Sequence, residues 1–148
     1  MKAIIQRVSS ASVCTGGEII GKIGKGFVVL LGVGREDSED DLNYLVKKIT
    51  GMRIFKDENE KMNLSLKDVG GELLVISQFT LFADTKKGNR PSFINAGPAD
   101  LSKNYYQQFI AKCRKLGFTT EEGHFGSHME VSLINDGPVT ISIDSCLR

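Results

Sequence analysis

The chain has 148 residues, of which 41% are hydrophobic and 25% charged, and its net charge is +1. That composition points to one globular domain, residues 1–148, with a core that needs no staples, and it lacks the basic excess of a protein that grips a long duplex. No apolar run approaches the ~20 residues of a membrane span, no secretory signal opens the chain, and three scattered cysteines (Cys14, Cys113, Cys146) fit a reducing, cytoplasmic setting better than a disulfide framework.

In chain order, residues 2–8 read as a first strand with Ala3, Ile5 and Arg7 on one side. Residues 11–24 read as a hairpin that turns at Gly16-Gly17. After Gly24-Lys25-Gly26, the run Phe27 to Val33 is apolar on both faces, the pattern of a central strand. Ser38 caps a first helix whose acidic first turn (Glu39, Asp40, Asp41) suits the helix dipole. Leu42, Leu45, Val46 and Ile49 give that helix one buried face, and Gly51 stops it. Met52 to Phe55 is a short strand, and residues 56–61 form a charged loop.

Glu72 to Ile76 is a further apolar strand that runs on into Ser77-Gln78-Phe79-Thr80-Leu81-Phe82, where Ser77, Gln78 and Thr80 interrupt it with polar groups. Residues 83–98 make a loop of a length that is usually functional or disordered. Asp100 caps a second helix with Leu101, Tyr105, Phe109, Cys113 and Leu116 at near-helical spacing, and Gly117 ends it. Residues 118–120 are a strand and 121–128 a loop. Alternating apolar residues then flank Asn135-Asp136-Gly137-Pro138 on both sides (Met129, Val131, Leu133; Val139, Ile141, Ile143). Asn and Asp bond their own backbone, Gly permits positive φ and Pro fixes φ, so this segment reads as a hairpin turn between two strands. The sum is about eight strands and two long helices without regular alternation. That favours an α/β fold with a barrel-like or two-sheet β body and the two helices packed outside, over a doubly wound parallel sheet.

The chemistry legible in these residues is sparse. His124 and His128 are four apart, but Gly126-Ser127 breaks the helix that would align them, and no cysteine or carboxylate partner is adjacent; no metal site is expected. Ser77 and Thr80 are candidate nucleophiles, yet no triad pattern, nucleophile elbow or phosphate loop accompanies them. A polar cluster that satisfies backbone groups at a strand end explains them equally well. Arg7 on a buried face requires acceptors, either backbone carbonyls or a phosphate; on a strand edge it reaches solvent instead. Both readings stay open. Lys86-Lys87 with Arg90 and Lys112 with Arg114-Lys115 are short basic groups that allow a small nucleic-acid contact without demanding one.

Two stretches taken together are specific. Ser77-Gln78-Phe79-Thr80-Leu81 and Asn135-Asp136-Gly137-Pro138-Val139-Thr140 resemble the two signature motifs of the D-aminoacyl-tRNA deacylases, in order and in a chain of matching length. The resemblance extends over Met1-Lys2-Ala3, Arg7, Gly88-Asn89-Arg90-Pro91-Ser92-Phe93, Phe125 and Met129. It implies a homodimer with active sites at the subunit interface, a cis Gly137-Pro138 bond, and insertion of that dipeptide into the partner's site. It implies hydrolysis of the ester between a D-amino acid, or glycine mischarged on tRNA-Ala, and the acceptor end of tRNA, without a cofactor. It implies that Ser77, Gln78, Phe79 and Thr80 hold the reacting ester, and that Phe125 and Met129 pack on the terminal adenosine. Gly137 and Pro138 would reject L-amino acids, with Arg7 supporting their loop. The resemblance favours assistance by the 2′-OH of the RNA over a Thr80 nucleophile. The rival reading is a non-catalytic binding module for tRNA 3′ ends or nucleotides.

Overall fold

The computed structural model describes residues 1–148 as eight strands, two α-helices and two short 3-10 turns. Six strands form one mixed sheet: β1 (Lys2–Thr15), β2 (Glu18–Ile23), β3 (Gly26–Gly32), β6 (Glu72–Ser77), β7 (Thr120–Glu122) and β8 (Glu130–Asp144). Its path is β2-β1-β3-β6-β7, with β8 paired to the other side of β1. β3 and β6 run parallel, as do β6 and β7, while β1 is antiparallel to all three of its neighbours. The two ends of the path approach each other, so the sheet curls into a nearly closed barrel. A Cβ on Gly21 of β2 would lie 2.9 Å from the Glu122 carbonyl oxygen of β7, so the closure needs a residue without a side chain. β4 (Phe55–Lys56) and β5 (Met62–Leu64) make a separate two-stranded sheet.

Alternation divides the sheet into two cores. Phe27, Val29 and Leu31 of β3, with Leu73 and Val75 of β6, face the larger core. There they meet Leu42, Leu45, Val46 and Ile49 of α1 (Glu39–Gly51), and Tyr106, Phe109, Ile110 and Cys113 of α2 (Ala99–Lys115). Val28, Leu74 and Ile76 point the other way, into a smaller core inside the barrel with Val8, Ala11, Val13 and Ile23. This is why those strands are apolar on both faces.

β1 changes face along its length. Ala3 and Ile5 belong to the outer core, whereas Ala11 and Val13, at the same parity, belong to the inner one. The switch occurs where Val8 pairs with Asn135 and Ser10 with Ile134, so Ser9 is an extra residue on β1. One inserted residue moves every later side chain to the opposite face.

Several expectations are corrected. The Met52 to Phe55 strand shrinks to Phe55–Lys56. Ser77 ends β6, and Phe79–Phe82 is a 3-10 turn, so Gln78 and Thr80 do not interrupt a strand. The cap of α2 is Pro98, with Asp100 inside the first turn, and Leu116 is exposed while Tyr106 and Ile110 are buried. The largest correction concerns residues 135–140. They reverse nothing: β8 passes straight through them as one 15-residue strand. β1 advances two residues from Gln6 to Val8 while β8 advances five from Thr140 to Asn135, so three extra residues bulge from β8 opposite Arg7.

Candidate active site

The end of β6 is shaped by what it pairs with. The Gln78 N–H donates to the Leu31 carbonyl at 2.8 Å, which extends the β3 pairing one residue beyond the strand. The chain then coils into the Phe79–Phe82 turn over Gly32, where a Cβ would lie 3.0 Å from the Gln78 carbonyl oxygen. A turn of this kind leaves the N–H groups of Phe79 and Thr80 without partners inside the turn. The Gln78 amide donates to the Thr80 hydroxyl oxygen. Phe79 is half exposed, with its ring edge-on to Phe93 at 5.1 Å.

The facing wall is the segment from Gly123 to Val131. The Gly123 N–H donates to the Val75 carbonyl at 3.2 Å, and Tyr106 Oη donates to the same carbonyl at 2.9 Å. Burial, aided by the negative Glu122, pushes the Tyr106 phenol well above its usual range, so it is a fixed donor. Phe125 packs on Tyr106 at 5.8 Å between ring centroids. Met129 Sδ accepts from the His124 N–H at 3.3 Å, which folds that side chain back across Gly123. A third wall comes from the start of α2, where the Gly97 N–H donates to the Val33 carbonyl and Ser102 Oγ donates to the Gly97 carbonyl.

These walls enclose a cavity of about 430 Å³ that brings Ser77, Gln78, Phe79, Phe125 and Met129 together. Val33, Ile76, Ala96, Gly97, Ser102, Ser127 and His128 also line it. No Asp, Glu, Lys or Arg does. Thr80 stands just outside, tied to Gln78. His124 Nδ1 and Ser127 Oγ are 3.1 Å apart at the rim, and no group of three His, Cys, Asp or Glu side chains gathers anywhere in the molecule.

The β8 bulge is held from below and at its base. Arg7 is 4% exposed, so the buried reading of this residue is the observed one. Its Nε donates to the Asp136 carbonyl at 2.9 Å and its Nη1 to the Ile54 carbonyl at 2.5 Å, and the Asp136 carboxylate lies 3.6 Å from Nε. Asn135 closes the base: its Oδ1 accepts from the Val139 N–H at 2.9 Å and its Nδ2 donates to Thr140 Oγ1 at 3.0 Å. Gly137 has φ 140, a backbone conformation suited to glycine, and the Gly137-Pro138 bond is cis. Both residues are exposed. They line a different hollow with Arg7, Lys25, Phe55 and Lys56, and neither lines the first cavity.

A family model described as D-Tyr-tRNA(Tyr) deacylase matches residues 4–144. The chain belongs to this deacylase family. A D-aminoacyl-tRNA deacylase of Thermosipho africanus is 52% identical over 145 residues, spanning 98% of this chain and 97% of the relative. One of Clostridioides difficile is 53% identical over 145 residues, with 98% and 97% covered. Among solved structures, the c-Myc DNA Unwinding Element Binding Protein matches with a TM-score of 0.91 at 42% identity, over 97% of this chain and 98% of that one. A probable eukaryotic D-amino acid tRNA deacylase shares the fold, with a TM-score of 0.77 at 16% identity over 96% and 97%.

Within this deacylase fold, the signature around Ser77 lies in the cavity and the signature around Gly137 lies outside it. Sequence reasoning missed Ser127, His128, Gly97 and Ser102 as cavity residues. Ser127 and His128 stand between Phe125 and Met129, so the resemblance pointed at their segment. Gly97 and Ser102 carried no signal, because the Val33 carbonyl that seats Gly97 lies 64 positions earlier in the chain and Ser102 is tied in turn to Gly97.

Proposed function

We propose that the chain hydrolyses the ester joining a D-amino acid to the terminal adenosine of a tRNA, releasing the free D-amino acid and the tRNA. The observation that carries this reading is the gathering of Ser77, Gln78, Phe79, Phe125 and Met129 around one cavity that no Asp, Glu, Lys or Arg lines, in a chain of this family. Water attacks the ester carbonyl carbon, the bond to the ribose oxygen breaks, and that oxygen takes up the proton. The N–H groups of Phe79 and Thr80 serve as donors to the oxyanion that develops. Phe125 and Met129 supply an apolar seat for the adenosine.

The RNA supplies a further polar group: its terminal 2′-OH positions the attacking water. Two features support this over a Thr80 nucleophile. No carboxylate or lysine lines the cavity and its one histidine, His128, makes no hydrogen bond to Thr80, while the Thr80 oxygen already accepts from the Gln78 amide, which makes it a poorer base and nucleophile. The working unit is a homodimer in which Gly137 and Pro138 of one subunit enter the partner's cavity. Their exposure, their separation from the cavity of their own chain, and the bracing by Arg7 and Asn135 support that placement. Backbone carbonyls at that point meet an L side chain and leave a D side chain or glycine room, so glycine mischarged on tRNA-Ala is accepted. The setting is the cytoplasm, where tRNA is charged.

The test is deacylation of D- and L-tyrosyl-tRNA. Loss of the D-ester alone is expected, and no loss over background refutes the enzyme reading. With a 2′-deoxy terminal adenosine, turnover stops, whereas Thr80→Ala retains it and forms no acyl-enzyme. The second reading, a non-catalytic binder of tRNA 3′ ends or nucleotides, is favoured by one observation, the cavity's lack of a carboxylate or lysine. It predicts retention of the ester with both substrates.

A further inference from the structure

The segment between Ala83 and Pro98 is not used by the chemistry above, yet it is built onto the cavity. Ala96 and Gly97 line the cavity, and Phe93 packs edge-on against Phe79, which also lines it. The base of the loop is pinned. Asp84 and Ser92 exchange backbone hydrogen bonds of 2.8 and 2.9 Å, Gly34 bridges to Ala96, and Arg35 Nη1 donates to the Ile94 carbonyl at 3.2 Å. The pinning leaves residues 85–91 as an exposed tip.

That tip carries Lys86, Lys87 and Arg90. None of the three joins any of the seven ion pairs in the molecule, and no Asp or Glu occurs between Thr85 and Ala99. In a chain of net charge +1, this is a local excess of cations: the nearest carboxylate, Asp84, accepts from the Lys86 backbone N–H at 2.9 Å and forms no ion pair with the three side chains. Beside it stand three exposed apolar side chains: Phe79, Phe93 and Ile94 are 54%, 37% and 66% exposed. Cations beside exposed aromatic rings are what a single-stranded nucleic acid requires, since its phosphates need positive charge and its unstacked bases need flat apolar partners. A duplex keeps its bases stacked inside and would leave the rings unused.

We infer that this loop is the docking surface for the unpaired 3′ tail of the tRNA, the nucleotides just before the terminal adenosine, with bases on the Phe93–Ile94 ledge and phosphates on Lys86, Lys87 and Arg90. The inference rests on reading the cavity as an aminoacyl-tRNA site. It divides the substrate in two: the cavity takes the aminoacyl-adenosine, and the loop takes what precedes it.

The experiment compares the wild-type chain with the Lys86→Ala/Lys87→Ala/Arg90→Ala variant on two substrates, D-tyrosyl-tRNA and D-tyrosyl-adenosine. The variant's preference for the tRNA, as the ratio of the two kcat/KM values, falls by about tenfold or more, and the slope of log kcat/KM against log salt for the tRNA loses about 2 in magnitude, from ~0.7 per phosphate contact. An unchanged ratio and slope overturn the inference. Anisotropy of a labelled, uncharged tRNA reads the loop without catalysis: weaker binding with a reduced salt slope supports the inference, and equal binding overturns it. Failure of the wild type to cleave either ester refutes the catalytic reading instead, and the anisotropy measurement still decides the loop.

Discussion

Replacing Arg7 with methionine keeps the unbranched stem in its buried place and removes the guanidinium. Two carbonyls then lose their donor: Asp136 on the bulge and Ile54 just before β4. A buried acceptor left unpaired costs about 1–3 kcal/mol, and the Asp136 carbonyl, being close to solvent, sits at the low end. We expect a loss of about 3 kcal/mol, which for a chain of this length is a fall in Tm of about 10 °C. Arg7→Lys falls between the two, because one ammonium cannot span both carbonyls. The second consequence is functional. With the bulge no longer braced from below, Gly137 and Pro138 wander, and the preference for D- over L-tyrosyl-tRNA declines more than the rate of D-ester hydrolysis does. Denaturant unfolding at one protein concentration and paired deacylation assays measure both effects. If Arg7→Met unfolds within ~0.5 kcal/mol of the wild type and keeps its D-over-L ratio, the buried guanidinium is not what holds the bulge.

Three further outcomes follow from the same geometry. Gly123→Ala would place a Cβ 2.5 Å from Met129 Sδ, which can swing aside; stability changes little, while kcat/KM falls by about 10–100-fold because one wall of the cavity moves. Burial works against ionised Asp41, but the Ser38 N–H, the Ser145 and Ser38 hydroxyls and the positive Met1 amino group outweigh it and hold its carboxyl well below the usual carboxylate range. A depressed folded pKa means its contribution is complete above the unfolded value of about 4 and is lost as pH falls through the folded one, so acid unfolding of Asp41→Asn is less pH-dependent in that window. Burial also pushes the Cys113 thiol up to about 12, so at pH 8 a thiol reagent labels the exposed Cys146 and leaves native Cys113 untouched, as peptide mass mapping would read.

What was legible in the sequence was whatever depended on near neighbours. The face of α1, the Gly16-Gly17 turn and the double-sided apolar runs of β3 and β6 all follow from spacing, and all are present. What was not legible depended on a partner far away. Asn135-Asp136-Gly137-Pro138 has the composition of a hairpin turn, and only the pairing with β1 makes it a bulge, because β1 pairs with β8 on both sides of it and Arg7 supplies donors from below. The end of β6 was misread for the same reason: Gln78 looks like a strand residue until Gly32 lets the chain coil over it. The family resemblance joined the two signatures to one reaction. Spacing alone gives no sign that a single chain keeps them on separate surfaces.

The pairing of β1 with β8 also governs when the molecule can exist. Lys2 sits opposite Asp144 and Cys14 opposite Glu130, so the first and last strands of the chain are partners. Contacts between such distant positions form late, because the loop between them must close before they are rewarded. On the ribosome, β1 emerges first and waits with its outer edge bare until residues 130–144 follow. Arg7 waits with it, lacking one of its two carbonyls. The bulge that carries Gly137 and Pro138 is therefore among the last parts to be seated, and a chain released early has its cavity wall at Ser77 but no bulge to brace.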